Sequence, residues 1–407
     1  MKQALYIINT LNKNGYTAYF AGGWVRDYIL KHPSDDIDIA TDAPSEIVEK
    51  LFKKTIPIGA KFGIILVIVD NKQYEVATFR EDISYEDGRR PTEVKFSSPS
   101  EDAKRRDFTI NGMFYDPIKK EIIDFVNGKE DLEKKIIKAI GNPNRRFQED
   151  RLRMIRAVRL SSRFNFKIDT DTKKAIIENS NDLFPSVAIE RIFQEFQKMS
   201  LYKGFRISLI KLFELNLLQT IFPILTDLPI EEIKNRTLKI EGFPKETPVI
   251  ISILELFPKA SLDEKIEICK YLKIANREID FVKFIHYSKE FILDIKKVDD
   301  FKWCYFFSSI YSEIAQDILA MHVDAQDRID FLKQLSEKKE ELSFYISKIK
   351  NRDPILKSDH LKLYNIHPGI LMGQLLKEAE KISINKKIKD PHKIIEELKK
   401  TKLWPKT

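Results

Sequence analysis

The apolar pattern of this chain changes its period near residue 140, and that change limits the folds open to it. Before that point, short apolar runs of strand length alternate with helical stretches. Beyond it, apolar residues recur at three- and four-residue intervals with little else between them. A chain of 407 residues exceeds what one hydrophobic core serves, so two to four domains are expected. The pattern predicts a mixed α/β part first and helices afterwards.

In the first part, strands are expected at residues 17–21, 37–40, 64–69, 73–80, 93–96 and 121–125. Asp70-Asn71-Lys72 reads as a hairpin turn between the third and fourth of these. Helices are expected at 24–31, at 45–54 where Pro44 opens the turn, and at 103–114. The charged segment 81–91 has no apolar periodicity and reads as a loop. Later helices are predicted over 145–164, 172–179, 188–199 and 205–215, each with one apolar face. Residues 386–406 are strongly basic and read as a solvated helix with a frayed end.

Composition narrows the function classes. Hydrophobic residues make up 43% and charged residues 32%, as in an ordinary globular protein. Two cysteines, Cys269 and Cys304, make neither a disulfide framework nor a metal-ligand spacing, which suits a reducing, cytoplasmic setting. No run approaches the roughly 20 apolar residues of a membrane span, and the first 20 residues do not pattern as a signal peptide. The net charge of +8 favours a polyanionic partner such as nucleic acid, although a Lys-rich coding bias gives the same number.

The most informative chemistry is in Gly22-Gly23-Trp24-Val25-Arg26-Asp27 followed by Asp36-Ile37-Asp38-Ile39. On a strand, residues two apart share a face, so Asp36 and Asp38 are expected to project together while Ile37 and Ile39 face the core. Two carboxylates so close repel each other unless a divalent cation lies between them. Magnesium takes carboxylate oxygens together with substrate phosphates, and a metal pair serves both the attacking hydroxyl and the leaving pyrophosphate. The Gly-Gly turn lets backbone approach a triphosphate, the helix after it points N–H groups at the anion, and Arg26 adds a charged fork. Alone, Asp-x-Asp is usually a strand edge and Gly-Gly a turn; in this order on strand, turn, helix and strand they are far more specific.

The stretch AGGWVRDYILKHPSDDIDIAT at 21–41 resembles the signature of bacterial-type (class II) CCA-adding enzymes and their poly(A) polymerase relatives, within the DNA polymerase beta nucleotidyltransferase superfamily. KRRDFTIN at 104–111, EDRLRMIRAVR at 149–159 and ERIFQEF at 190–196 resemble later family motifs in family order. The resemblance covers about the first 200 residues and is loose thereafter. It implies an α+β chain: a small mixed-sheet nucleotidyltransferase head at 1–140, then an all-α neck at 141–200, body at 201–295 and tail at 296–407, together shaped like a seahorse. It also implies addition of C, C and A to the 3′ end of tRNA from CTP and ATP with Mg2+. An A-adding enzyme or a poly(A) polymerase of the same family is the alternative.

The segment from Glu149 adds its own logic. Asp150 and Arg153, three apart, are expected side by side on one helical face. A carboxylate accepts hydrogen bonds and a guanidinium only donates them. Cytosine and adenine each offer an amine beside an acceptor ring nitrogen, which this pair matches; uracil and guanine present the opposite pattern and leave polar groups unpaired. The resemblance gives the same two positions this role, with Glu149 orienting Arg153 and Arg156 and Arg159 lining the pocket. It places Arg106 on the bound nucleotide and segment 81–91, with Arg80, Asp82, Arg89 and Arg90, at the loop that reshapes the pocket. Glu75 is a candidate third carboxylate or simply an exposed strand residue. Arg191 and Glu195, four apart, are expected to pair and brace helices. The tail match is partial, Ser358-Asp359-His360-Leu361 standing where the family has Gly-Asp-Leu. A dead RNA-binding head is disfavoured because Asp36, Asp38 and Arg106 are all present. A phosphohydrolase appendage is disfavoured because none of the six histidines precedes an Asp. Oligomeric state is not legible.

Overall fold

The structure is a computed structural model describing residues 1–32, 34–59, 62–85, 91–293 and 297–405. They form two compact units, Met1–Thr237 and Leu238–Thr407.

The first unit opens with helix α1 (Lys2–Lys13), which buries Ala4, Ile7, Ile8 and Leu11 on one face, the spacing of an amphipathic helix. Strand β1 (Ala18–Ala21) leads into α2 (Gly23–Ile29), and β2 (Asp38–Thr41) into α3 (Ser45–Leu51). Strands β3 (Thr55–Gly59), β4 (Ile64–Val69) and β5 (Lys72–Thr78) follow; β3 was not anticipated from the sequence. Asp70 and Asn71 both take positive φ, 48° and 62°, as a tight hairpin turn between β4 and β5 requires. With β8 (Phe114–Asp116) and β9 (Glu121–Ile123), named after two intervening strands, they make a seven-stranded sheet in the order β3-β4-β5-β2-β1-β8-β9. Strand β2 is antiparallel to β1 and parallel to β5, so it sits mid-sheet with Ile39 buried beneath. The mixed head followed by helices agrees with the α+β expectation.

Three local expectations need correction. Residues 81–85 and 91 are not loop: β6 (Arg80–Tyr85) and β7 (Pro91–Phe96) pair antiparallel as a separate two-stranded sheet. Backbone pairing, which needs no apolar alternation, holds them; residues 86–90, including Arg89 and Arg90, lie outside the described residues. The helix expected at 103–114 is instead α4 (Pro99–Lys104), capped by Ser98, followed by a short 3-10 turn at Thr109–Asn111. Asp107 accounts for the break, because its buried carboxylate accepts the Phe108 N–H at 2.8 Å and offers the chain an alternative to helix.

The helix expected at 145–164 is also two. After α5 (Gly128–Glu133), α6 (Pro143–Glu149) starts at an Asn142 cap with proline at its first position. It stops at Asp150, whose backbone is extended at φ −151° and ψ 104°. The Asp150 carboxylate then accepts the Leu152 N–H at 3.1 Å and opens α7 (Leu152–Phe164). Helices α8 (Thr170–Asn179), α9 (Ile189–Ser200) and α10 (Phe205–Glu214) continue the unit.

Among its described residues the second unit is helical throughout. Its C-terminal helix, Pro391–Lys399, is not solvated all round: Ile394, Ile395 and Leu398 are buried against Leu361 and Leu375. Among the described residues no helix is long and apolar enough to cross a membrane.

Candidate functional site

The site is built where β1 meets α2. Gly22 adopts φ 68° and ψ −135°, a backbone state closed to most side chains. A Cβ there would stand 2.9 Å from Nη1 of Arg106 and 3.5 Å from Oδ2 of Asp38. Backbone, guanidinium and carboxylate therefore converge on one point with no room between them. Helix α2 has only seven residues, so its dipole adds little and close backbone approach is the main feature.

Asp38 is the first residue of β2, half-buried, and Asp36 lies just before the strand, exposed. Ile37 and Ile39 are buried, as the two-residue alternation requires. Strand β5 runs parallel to β2 with Ile39 opposite Val76, which brings Glu75 beside Asp38. Burial, then the charges of Asp36 and Glu75, push the Asp38 carboxyl up to about 6, with Arg106 pulling it back. That excess negative charge fits a divalent cation. Among the described residues no three carboxylate, His or Cys side chains form a ready cage. A two-carboxylate magnesium site, which completes its shell with waters and phosphate oxygens, needs none.

The cationic side is held by buried acids. Asp102 accepts from Arg106 at 3.0 Å through one oxygen and from Arg105 at 2.7 Å through the other. Burial alone would raise the Asp102 carboxyl, yet the two guanidinium groups hold it below its ordinary range. Along α7 each arginine has its own carboxylate: Arg153 with Glu149 at 2.7 Å, Arg156 with Asp107 at 2.9 Å, Arg159 with Glu195 at 2.6 Å and Arg163 with Asp27 at 3.0 Å. Asp107 is likewise held well below its usual range: burial is outweighed by Arg156, Asn111 and Arg153. Planar guanidinium groups fixed this way present their remaining donors in set directions. These groups and the paired aspartates line one open cleft of about 800 Å³.

Residues 18–138 match the family model described as "Poly A polymerase head domain". Through this head the chain is similar to class II CCA-adding enzymes and poly(A) polymerases. Residues 165–228 match a second model, "Probable RNA and SrmB- binding site of polymerase A". The CCA-adding enzyme of Enterococcus faecalis is 47% identical over 201 residues, which is 49% of this chain and 49% of that protein. The chain thus spans about half the length of the curated relatives it matches. The crystal structure of the Bacillus stearothermophilus CCA-adding enzyme in complex with CTP superposes with TM-score 0.76, at 26% identity and 97% coverage of both chains. The Thermotoga maritima CCA-adding enzyme complexed with tRNA shares the fold, with TM-score 0.66 at 19% identity over 97% of this chain and 93% of that one.

Gly22, Gly23, Arg26, Asp36, Asp38, Arg106, Asp150, Arg153, Arg156 and Arg159 all line the cleft. Glu75 and Glu149 are not among its lining residues. Glu149 orients Arg153, as expected.

Three expectations change. Arg26 is not a fork turned to solvent: it is buried and donates to Asp27 at 2.9 Å and to Asn111. Asp150 does not share a helical face with Arg153, because the chain is extended there. Arg191 pairs not with Glu195 but with Asp150, at 3.2 Å, while Glu195 takes Arg159 and Lys198. Sequence reasoning passed over Asp27, Asp102, Asp107, Asn111, Arg163, Lys198 and Tyr202. Asp107 and Asn111 stand inside a quoted motif, and Arg163 extends the face of Arg156 and Arg159 by one turn. Nothing local marks Lys198 or Tyr202.

Proposed function

We propose that this chain extends the 3′ end of tRNA by C, C and A, using CTP and ATP and releasing pyrophosphate. The observation that carries the reading is that a paired-carboxylate site and an acceptor–donor pair, Asp150 and Arg153, line the same cleft. Asp36 and Asp38 would hold Mg2+, with Glu75 beside them; bound there, the cation would supply positive charge against the triphosphate and a Lewis acid for the attacking 3′ hydroxyl. Gly22 and Gly23 let the backbone approach the phosphates, and Arg106 adds charge. Asp150 accepts the exocyclic amine of cytosine or adenine while Arg153 donates to the adjacent ring nitrogen. Arg156 and Arg159 line the same pocket, and Arg26 acts from within its wall. The 165–228 region supports an RNA partner. The division into head, neck, body and tail at residues 140, 200 and 295, and a cytoplasmic setting, belong to the same reading.

The test is tailing of three tRNA transcripts ending at the discriminator base, at CC and at CCA. Each is incubated with magnesium and single labelled nucleotides, with Asp36→Ala/Asp38→Ala as control. Two C and then one A, stopping at CCA, is the expected result. Long A tracts would make the chain a poly(A) polymerase, and A on the CC transcript alone an A-adding enzyme. No incorporation would overturn the catalytic reading.

A further inference from the structure

We infer that Tyr202, with Lys198 beside it, forms a second subsite in this cleft, a platform on which the last unpaired base of the RNA strand being extended stacks. The inference rests on the proposed function for the identity of the strand and adds the place where its end is held.

The cleft is longer than the groups assigned to the incoming nucleotide. Those groups run along α7 from Arg153 to Arg159, with Asp150 before it, and across to the Gly22–Asp38 corner. At 1.5 Å per residue, Arg163 stands about 6 Å further along α7 than Arg159, the last α7 residue assigned to the nucleotide pocket. The cleft wall continues there through Arg163, Lys198, Leu201 and Tyr202.

Tyr202 is held in a specific way. Arg163 donates to the buried carboxylate of Asp27 at 3.0 Å, which fixes its guanidinium. That guanidinium lies 4.5 Å from the centre of the Tyr202 ring and 4.6 Å from that of Phe164. One ring face of Tyr202 is thus covered, yet the residue is 37% exposed. A rigid, cation-backed aromatic with one open face offers a stacking surface to any base, whatever its sequence.

The neighbours suit a single strand. Leu201 is 64% exposed and widens the apolar surface. Lys198 keeps half of its side chain in solvent while it touches Glu195 at 3.1 Å, so it is placed to meet a backbone phosphate without being buried. Tyr202 also falls inside the 165–228 segment that matches the RNA-binding model. Stacked bases next to a basic side chain are how proteins hold strand ends that carry no fixed sequence.

The test uses the full chain and a tRNA transcript with 2-aminopurine as its discriminator base, whose fluorescence falls on stacking. Wild type and Tyr202→Phe are expected to quench it; Tyr202→Leu, which keeps the apolar bulk and removes the ring, is expected not to. The KM for tRNA should rise about tenfold in Tyr202→Leu, within the worth of one base on one ring, while the KM for CTP stays unchanged. Quenching and KM for tRNA unchanged in Tyr202→Leu would overturn the platform. So would an equal rise in both KM values, which marks a structural role. If wild type quenches the probe yet tails no tRNA, the proposed function fails and the platform stands. If wild type tails normally and Tyr202→Leu matches it, the platform alone fails.

Discussion

Arg191 donates through Nη2 to both carboxylate oxygens of Asp150, at 3.4 and 3.2 Å, and so anchors a side chain that no helix carries. The extended backbone at Asp150 frees it from the α7 face, and α9 supplies the restraint instead. Under the proposed function, nucleotide choice depends on this contact between the α6–α7 junction and α9, 41 residues apart in the chain.

Arg191→Ala releases that anchor without touching the nucleotide. A lost charge-assisted hydrogen bond is worth about 1.5–3 kcal/mol, so kcat/KM for CTP and ATP should fall at least roughly tenfold. UTP and GTP incorporation should rise in relative terms. Arg191→Lys should recover part of the loss. Competition among four labelled nucleotides reads this directly, and unchanged selectivity in Arg191→Ala would remove Arg191 from the recognition apparatus.

Arg153→Ala removes the donor half of the pair itself. Its guanidinium is held by Glu149 at 2.7 Å, so the wild-type geometry is fixed before a nucleotide arrives. The variant should lose most incorporation or its preference for C and A. Full activity with undiminished discrimination among all four nucleotides would sink the protein-template idea.

Gly22→Ala tests the convergence at the head of the cleft. The new Cβ would sit 2.9 Å from Arg106 Nη1, and the φ of 68° is strained for any side chain. Arg106 is tied to Asp102 and cannot simply swing away. A loss of about a hundredfold in kcat is expected, from displacement of Arg106 or of the bound phosphates by a fraction of an ångström to an ångström. Single-turnover tailing gives the rate, and melting separates it from unfolding. A variant with wild-type kcat would show that the close approach is unimportant.

How much of this was legible in the sequence depends on which forces placed each residue. Gly22, Asp36 and Asp38 could be read because strand alternation and turn chemistry are local, and the buried Ile37 and Ile39 obey the same rule. The break at Asp150 was not legible: residues 145–164 keep helical periodicity across it, and the interruption goes with the Asp150 carboxylate accepting the backbone N–H of Leu152. Arg26 misled for a related reason. A basic residue after Gly-Gly looks like a phosphate ligand, and only packing reveals Asp27 and Asn111 around it. A strand was expected at 93–96, within β7, but β6 and its pairing with β7 were missed because charged strands pair through backbone and carry no apolar signature. Ion pairs across long separations, such as Arg163 with Asp27, leave no trace in spacing at all.

Asp38 connects the site to stability in the metal-free protein. Burial and the neighbouring Asp36 and Glu75 raise its carboxyl to about 6 from 3.8, so the folded chain binds that proton more tightly than the unfolded chain does. Its contribution is therefore fully present below the ordinary carboxylate value and is lost as pH rises through about 6. Two pKa units correspond to about 3 kcal/mol, which solvent at the cleft reduces to about 1–2 kcal/mol. In chelator, Asp38→Asn should melt higher than wild type at pH 7, by about 2–8 °C for a unit of this size, and no higher at pH 4. Magnesium should raise the wild-type melting temperature at pH 7 and leave that of Asp38→Asn nearly unmoved, because the cation stabilises only the chain that holds it. The same variant should be inactive at every pH. A melting difference that is equal at pH 4 and pH 7 would mean that charge crowding does not act on Asp38, and the case for a cation between these carboxylates would lose its electrostatic support.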